Sequence, residues 1–151
     1  MKSLILFYSF TGNTRELALK KAEELGADIE EIQEINKPCI FRAYTIGVYR
    51  AIKRKIALIQ PLKSDLADYE KIIIMSPIWG FFPVSPINSV IECLPAGKKI
   101  EIIMVSGGGG SKKTANGTKE LVQKQGCEVI DYVDIFAKRT KDKLVWHVLK
   151  Q

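Results

Sequence analysis

Ser9-Phe10-Thr11-Gly12-Asn13-Thr14 places three hydroxyls, a side-chain amide and a glycine within six residues, a composition suited to holding an anion. The Ser9, Thr11 and Thr14 hydroxyls donate to phosphate oxygens, and Gly12 lets the backbone approach without a Cβ in the way. Residues 4–8 before the loop read as a strand buried on both faces, and residues 15–19 after it as a helix. A strand turning directly into a helix leaves free N–H groups at the positive end of the helix dipole, which is where a phosphate binds. No lysine lies inside the loop, so it suits a permanently held phosphate monoester better than a transferable phosphoryl group. The same residues also suit a plain capped turn, with Asn13 or Thr14 as N-cap, and two later loops decide between the readings.

In the second loop, Ser76-Pro77-Ile78-Trp79-Gly80-Phe81-Phe82-Pro83, three aromatics stand between two prolines at the end of an apolar run. They form a stiff apolar wall that a flat conjugated ligand would cover. Local core capping or a subunit contact is the alternative. The third loop, Ser106-Gly107-Gly108-Gly109-Gly110-Ser111, lets the backbone run edge-on to a planar ring and offer it N–H groups. Lys113-Thr114 downstream imitates a nucleotide-triphosphate loop, but Lys112 stands where that motif needs glycine, and the run does not open the domain. Triphosphate hydrolysis is therefore not expected.

The positioning elements alternate. After the first loop, Ala18, Ala22 and Leu25 share a helical face that Gly26 ends, and residues 27–32 give a weak, edge-type strand. Pro38 breaks residues 36–41. Tyr49, Ile52, Ile56 and Ile59 recur at spacings of three and four, predicting a helix over about 43–59 with Arg50, Lys53, Arg54 and Lys55 on its other side. That cluster is either a solvated face or a docking patch for an acidic partner. Residues 71–75 form the third strand. Ser85 and Pro86 predict an N-cap and first residue of a helix with Ile87, Val90, Ile91 and Leu94 on one face. Residues 100–105 are the fourth strand. Thr118, Leu121 and Val122 mark a helix, residues 129–136 the fifth strand, and Leu144, Val145, Val148 and Leu149 a short closing helix over 142–150 that holds His147 near its outer side.

The 151 residues and formal charge of +6 fit one domain with its own core. No apolar run approaches a membrane span, and no export signal is recognisable, so a cytoplasmic protein is expected. Cys39, Cys93 and Cys127 are widely spaced and read as buried thiols. With His147 the only histidine, zinc or Ser-His-Asp chemistry lacks material.

Strands alternating with helices predict an α/β domain, a doubly wound five-stranded parallel sheet of order 2-1-3-4-5 with helices on both faces. The special loops follow strands one, three and four, so they meet at the carboxyl ends of the strands beside a topological switch point, a rule that flavodoxins themselves exemplify.

The hydroxyl-x-Thr-Gly-x-Thr loop and the aromatic-small pair Trp79-Gly80 resemble the phosphate and ring loops of flavodoxins, the likeness covers essentially the whole chain, and its uninterrupted fifth strand resembles the short-chain form. The resemblance implies FMN as cofactor, held by Ser9, Phe10, Thr11, Gly12, Asn13 and Thr14 at the phosphate, by Pro77, Ile78, Trp79, Gly80 and Phe81 along the ring, and by Ser106, Gly107, Gly108, Gly109 and Gly110 at its polar edge. It implies that Trp79 stacks on the isoalloxazine and that the peptide near Gly80 turns with the redox state; glycine permits this because it accepts both signs of φ. The Gly-rich loop departs from the flavodoxin pattern in lacking a second aromatic, which leaves one ring face to another group.

The function implied is electron transfer by a bound flavin. A small FMN-dependent oxidoreductase with its own substrate and a cofactor-free binding module are the alternatives. Flavodoxins are typically acidic whereas this chain is basic, so a redox partner with an acidic docking face is expected. Nucleic acid is not expected from net charge alone. A phosphorelay receiver needs acids where Ser9 and Ser76 stand.

Overall fold

The computed structural model of the chain describes residues 1–149, and the apolar runs of the sequence become its central strands. In order these are β1 (Ser3–Phe7), α1 (Asn13–Leu25), β2 (Asp28–Glu31), a helical segment α2 over residues 40–52, β3 (Lys71–Trp79), β4 (Phe82–Pro83), α3 (Ser85–Glu92), β5 (Lys99–Ser106), α4 (Ala115–Lys124), β6 (Glu128–Thr140) and β7 (Lys143–Val148). The sheet runs β2-β1-β3-β5-β6-β7, and the short β4 folds back on β3.

Leu4, Ile5 and Leu6 of β1, Ile72, Ile73 and Ile74 of β3, and Ile100, Ile102 and Ile103 of β5 are buried whichever face they point to. That pattern follows from parallel strands covered on both sides. On one face Ile87, Val90 and Ile91 of α3 and Val122 of α4 pack on Leu4, Leu6, Ile72, Ile74 and Ile102. On the other, Leu17, Ala18 and Ala22 of α1 meet Ile5, Phe7, Ile73, Met75 and Ile103. Gly26 ends α1 in the left-handed conformation at φ 60°, its N–H returning to Ala22 and Glu23 carbonyls, as a glycine C-cap does. The polar β2 is the sheet's edge.

The expected order 2-1-3-4-5 holds for the parallel strands β2-β1-β3-β5-β6, but the sheet is larger and mixed. The chain from Lys143 to Val148 is an antiparallel strand on β6, not the closing helix predicted over 142–150; Lys150 lies outside the described residues. Trp146 faces Ala137 and Leu144 faces Arg139 across the ladder, and the Leu149 N–H donates to the Asp134 carbonyl at 2.8 Å. Pairing to a 13-residue β6 supplies backbone partners that an isolated six-residue helix could not. The helical residues of the second core cluster accordingly all come from α1.

Three other expectations are corrected. The helix predicted to reach Ile59 ends at Ile52, because Arg54 turns left-handed at φ 49° and its guanidinium donates to the Thr118 hydroxyl and the Thr114 carbonyl, both at 3.0 Å. Tyr49, Ile52 and Ile56 are exposed rather than packed on the sheet, and the four cations do not share one helical face. The N-cap of α3 is Val84, with Ser85 and Pro86 inside the first turn. Of the cysteines, Cys127 is buried and Cys39 and Cys93 are exposed. No helix among the described residues is long and apolar enough to cross a membrane.

Candidate functional site

The first loop ends β1 and opens α1. Gly12 is the N-cap at φ 100°, a conformation that disfavours a side chain, and its N–H donates to the Ser9 hydroxyl at 3.0 Å. The first turn closes with Glu16 N–H on the Gly12 carbonyl at 3.1 Å, and no side chain caps the helix. The N–H groups of Asn13, Thr14 and Arg15 therefore have no carbonyl in a preceding turn to bond. Thr14 is buried beside them. Ser9 accepts inside the loop and so shapes it, while its own O–H remains a donor.

The second loop is more regular than its prolines suggest. β3 continues through Pro77 and Ile78 to Trp79, and Trp79 pairs with Phe82 across a two-residue turn. Gly80 at φ 59° and Phe81 at φ 70° are both left-handed, which is the type I′ hairpin geometry. Trp79 meets Phe10 edge to face, centroids 5.4 Å apart, joining the first two loops. The third loop is tied at its C-terminal end. Ser111 donates its N–H to Asp134 Oδ1 at 2.9 Å and its hydroxyl to the same oxygen at 2.7 Å. The Ser111 and Tyr132 hydroxyls also hydrogen-bond each other, and burial pushes the Tyr132 phenol up to about 12. The Thr114 hydroxyl donates to the Phe81 carbonyl, and a Cβ on Gly109 would lie 3.4 Å from the Phe81 ring, so the hairpin and the Gly-rich loop are packed together.

A cavity of about 250 Å³ lies where the loops meet, lined by Phe10, Thr11, Asn13 and Thr14, by Pro77, Ile78 and Trp79, and by Ser106 and Gly107. Those nine predicted residues are thus brought together. Ser9 and Gly12 shape the first loop, Gly80 and Phe81 sit at the hairpin tip, and a Cβ on Gly110 would abut Asp134 and Leu149, turned toward the β6 side. Gly108 and Gly109 are outside the lining. The Ser106 hydroxyl is buried and has no hydrogen-bond partner among the described residues. A buried donor left this way costs free energy until a ligand satisfies it.

Three contributors were not singled out by the sequence. Tyr44 of α2 lines the cavity with its side chain 76% exposed, and its only sequence signal was an aromatic outside any apolar repeat. It rides on a π-helical stretch, Ala43–Gly47, a distortion frequent at functional sites. Gly47 carries the wall: a Cβ there would stand 2.6 Å from Trp79 Cζ3, so the indole rests directly on the α2 backbone. Arg139, beyond the predicted end of the fifth strand, donates to Asn13 Oδ1 at 3.3 Å and to Glu16 at 2.8 Å, setting a cation beside the first loop.

No protein-family model matches the chain. A protein of Archaeoglobus fulgidus described as uncharacterized is 26% identical over 129 residues, covering 85% of this chain and 82% of its own length. Among solved structures, a flavoprotein of Lactobacillus acidophilus in complex with FMN superposes at TM-score 0.74 with 23% identity, over 88% of this chain and 92% of that one. A Bacteroides eggerthii protein described as a candidate flavoprotein reaches 0.77 at 21% identity, over 88% and 87%. The two-electron-reduced flavodoxin of Megasphaera elsdenii reaches 0.55 at 19% identity, over 87% and 84%. The chain adopts the flavodoxin-like fold that these proteins share.

Proposed function

We propose that this protein binds FMN in the cavity between its three special loops and works as an electron-transfer flavoprotein. The observation that carries the reading is the convergence of nine predicted residues on one cavity whose Ser106 hydroxyl is buried without a partner. The chemistry of the lining fits the group. Free N–H groups of α1 and the Thr11 and Thr14 hydroxyls suit a phosphate dianion. Trp79 offers an aromatic wall, and Ser106 with Gly107 offers polar groups for the edge of a ring. The likeness to a flavoprotein complexed with FMN supports the same assignment.

Bound there, FMN supplies the electron chemistry, and the residues hold and tune it. Asn13, Thr14 and Arg15 present their N–H groups to the phosphate, while Trp79 on Gly47 fixes one wall. Gly80 and Phe81 carry the peptide that turns with the redox state. In the I′ turn Phe81 is left-handed at φ 70°, and rotation of the central peptide to a II′ turn would return it to negative φ, so relief of that strain favours the turn. Tyr44, from α2, is the aromatic placed to cover the ring face that the Gly-rich loop leaves bare. The formal charge of +6 matches a redox partner that docks through an acidic face.

The test is titration of the purified protein with FMN, followed by flavin absorbance and tryptophan fluorescence. Saturation at one equivalent with quenching that Trp79→Leu removes is expected. A protein that stays colourless, with fluorescence unmoved by FMN, overturns the assignment. For electron transfer, the rate with an acidic partner should fall steeply with added salt, and a salt-independent rate would contradict the docking model.

A further inference from the structure

Trp79 borders a second and larger cavity, which the flavin reading does not use. Its volume is about 700 Å³, and it lies among residues 34–39, the α2 segment, residues 56–58 and the start of α3. Trp79, Pro38, Ile46, Ile56, Leu58 and Pro86 give it an apolar wall. Its charged lining is unbalanced: Lys37, Arg42 and Arg50 against Glu34. None of those three cations joins an ion pair among the described residues. Arg42, Ile46 and Arg50 recur every four residues along α2, so one helix face presents two guanidiniums with an aliphatic side chain between them.

The start of α3 adds a donor. Ser85 lines the cavity, is 6% exposed, and its hydroxyl has no hydrogen-bond partner among the described residues. The N-cap Val84 has no side-chain oxygen, and the helix begins without a side-chain cap. The positive end of the α3 dipole is therefore uncompensated at the same wall. Glu34 is occupied by the Tyr8 hydroxyl, which donates to it at 3.0 Å. Burial raises the Glu34 carboxyl against the opposing Tyr8 hydrogen bond and the Arg50 and Lys37 charges, and those two cations together with Arg42 still outnumber it in the lining. Two guanidiniums, an ammonium, an unsatisfied hydroxyl and an indole wall together describe an amphipathic anion.

We propose that this cavity binds an aromatic carboxylate, with its ring on Trp79 and the aliphatic wall and its negative charge held by Arg42, Arg50, Lys37 and the Ser85 hydroxyl. The volume accommodates one or two fused rings. Planar guanidiniums suit a carboxylate because they can donate two parallel hydrogen bonds to it. The two cavities share only Trp79 in their lining, although the Lys37 ammonium lies 5.1 Å over the ring of Phe10, and the charge-binding groups here are not those assigned to the flavin.

The experiment is equilibrium binding of 2-naphthoate, followed by the probe's own fluorescence, with and without saturating FMN. Expected is one equivalent bound in both conditions. The uncharged analogue 2-naphthylmethanol should bind about tenfold more weakly, since the charge-assisted hydrogen bonds are lost. Arg42→Gln with Arg50→Gln should weaken naphthoate about tenfold, and Ser85→Ala about threefold. The two arginines are exposed, and the serine hydroxyl bonds nothing, so a melting temperature within a few degrees of wild type verifies that these variants fold. Absence of binding, equal affinity for the alcohol, indifference to the double substitution, or displacement by FMN would each overturn the site.

Discussion

Gly47→Ala isolates the contact on which the ring wall depends. Gly47 has ordinary right-handed helical angles, φ −62° and ψ −45°, so alanine meets no backbone strain there. By helix propensity alone the change should stabilise the chain by about 1 kcal/mol. The new methyl, however, would stand 2.6 Å from Trp79 Cζ3 and 3.0 Å from Cε3, where ordinary contact begins at 3.4 Å. The indole must withdraw by roughly 0.8 Å, and overpacking of this kind costs about 2 kcal/mol. The balance is a net destabilisation of about 1 kcal/mol, with FMN affinity lower by about tenfold because the ring wall has moved. Urea unfolding and FMN titration of wild type, Gly47→Ala, Trp79→Leu and the double variant form a cycle. In the Trp79→Leu background the alanine should turn stabilising. A Gly47→Ala protein more stable than wild type by the full propensity gain, with FMN affinity unchanged, would refute the placement of Trp79 against α2.

Ser106→Ala should stabilise the ligand-free protein by about 1 kcal/mol, because a buried hydroxyl without a partner is removed, yet weaken FMN about tenfold; denaturation and titration of the same variant read both. Phe81→Gly should raise stability by about 1 kcal/mol in a thermal melt, since a bulky residue leaves a left-handed turn position in which glycine is at ease. Glu101 is buried on β5 between Lys21 at 2.9 Å and Lys71 at 2.7 Å. Burial raises its carboxyl, but hydrogen bonds from Lys71 and Lys21 and their charges outweigh this and hold it below its usual value of 4.5. A depressed folded value means the stabilisation is complete above the unfolded value and lost as pH falls through the folded one. Glu101→Gln should therefore cost about 2 kcal/mol at pH 7. The gap to wild type should narrow as pH falls below the ordinary carboxyl value of 4.5 and close as it passes through the lower folded value, as unfolding curves followed from pH 7 into acid would show.

The parts of the fold set by local chemistry were legible in the sequence. Residues 4–7 of β1 and 72–75 of β3 are apolar at every position, Gly26 stops α1, and the Ser9 to Thr14 loop opens a helix where its hydroxyls and glycine say it should. What long-range pairing decides was not legible. Leu144, Val145, Val148 and Leu149 satisfy a helical period as well as a strand, and only the extended β6 selects the strand. Arg54 reads as one more surface cation, but its bonds to Thr114 and Thr118 cross from residue 54 to α4 and end the preceding helix early. Phe81 does not announce a left-handed turn as Asn or Gly would, so the residues predict an apolar wall between two prolines but not the hairpin at Trp79 to Phe82. The site was visible as three loops. Tyr44, which lines the cavity, Gly47, which backs Trp79, and Arg139, which bonds Asn13, were not, because each comes from an element whose end or position depends on tertiary contacts.

The most direct measurement is the ratio of affinities for FMN and riboflavin, determined by calorimetry at fixed ionic strength on the same preparation. The two ligands share the ring and differ only in the phosphate, so the ratio reports the N–H groups and hydroxyls at the start of α1. FMN should bind at least about a hundredfold more tightly, as several charge-assisted hydrogen bonds require. Equal affinities, or no binding of either, would contradict it.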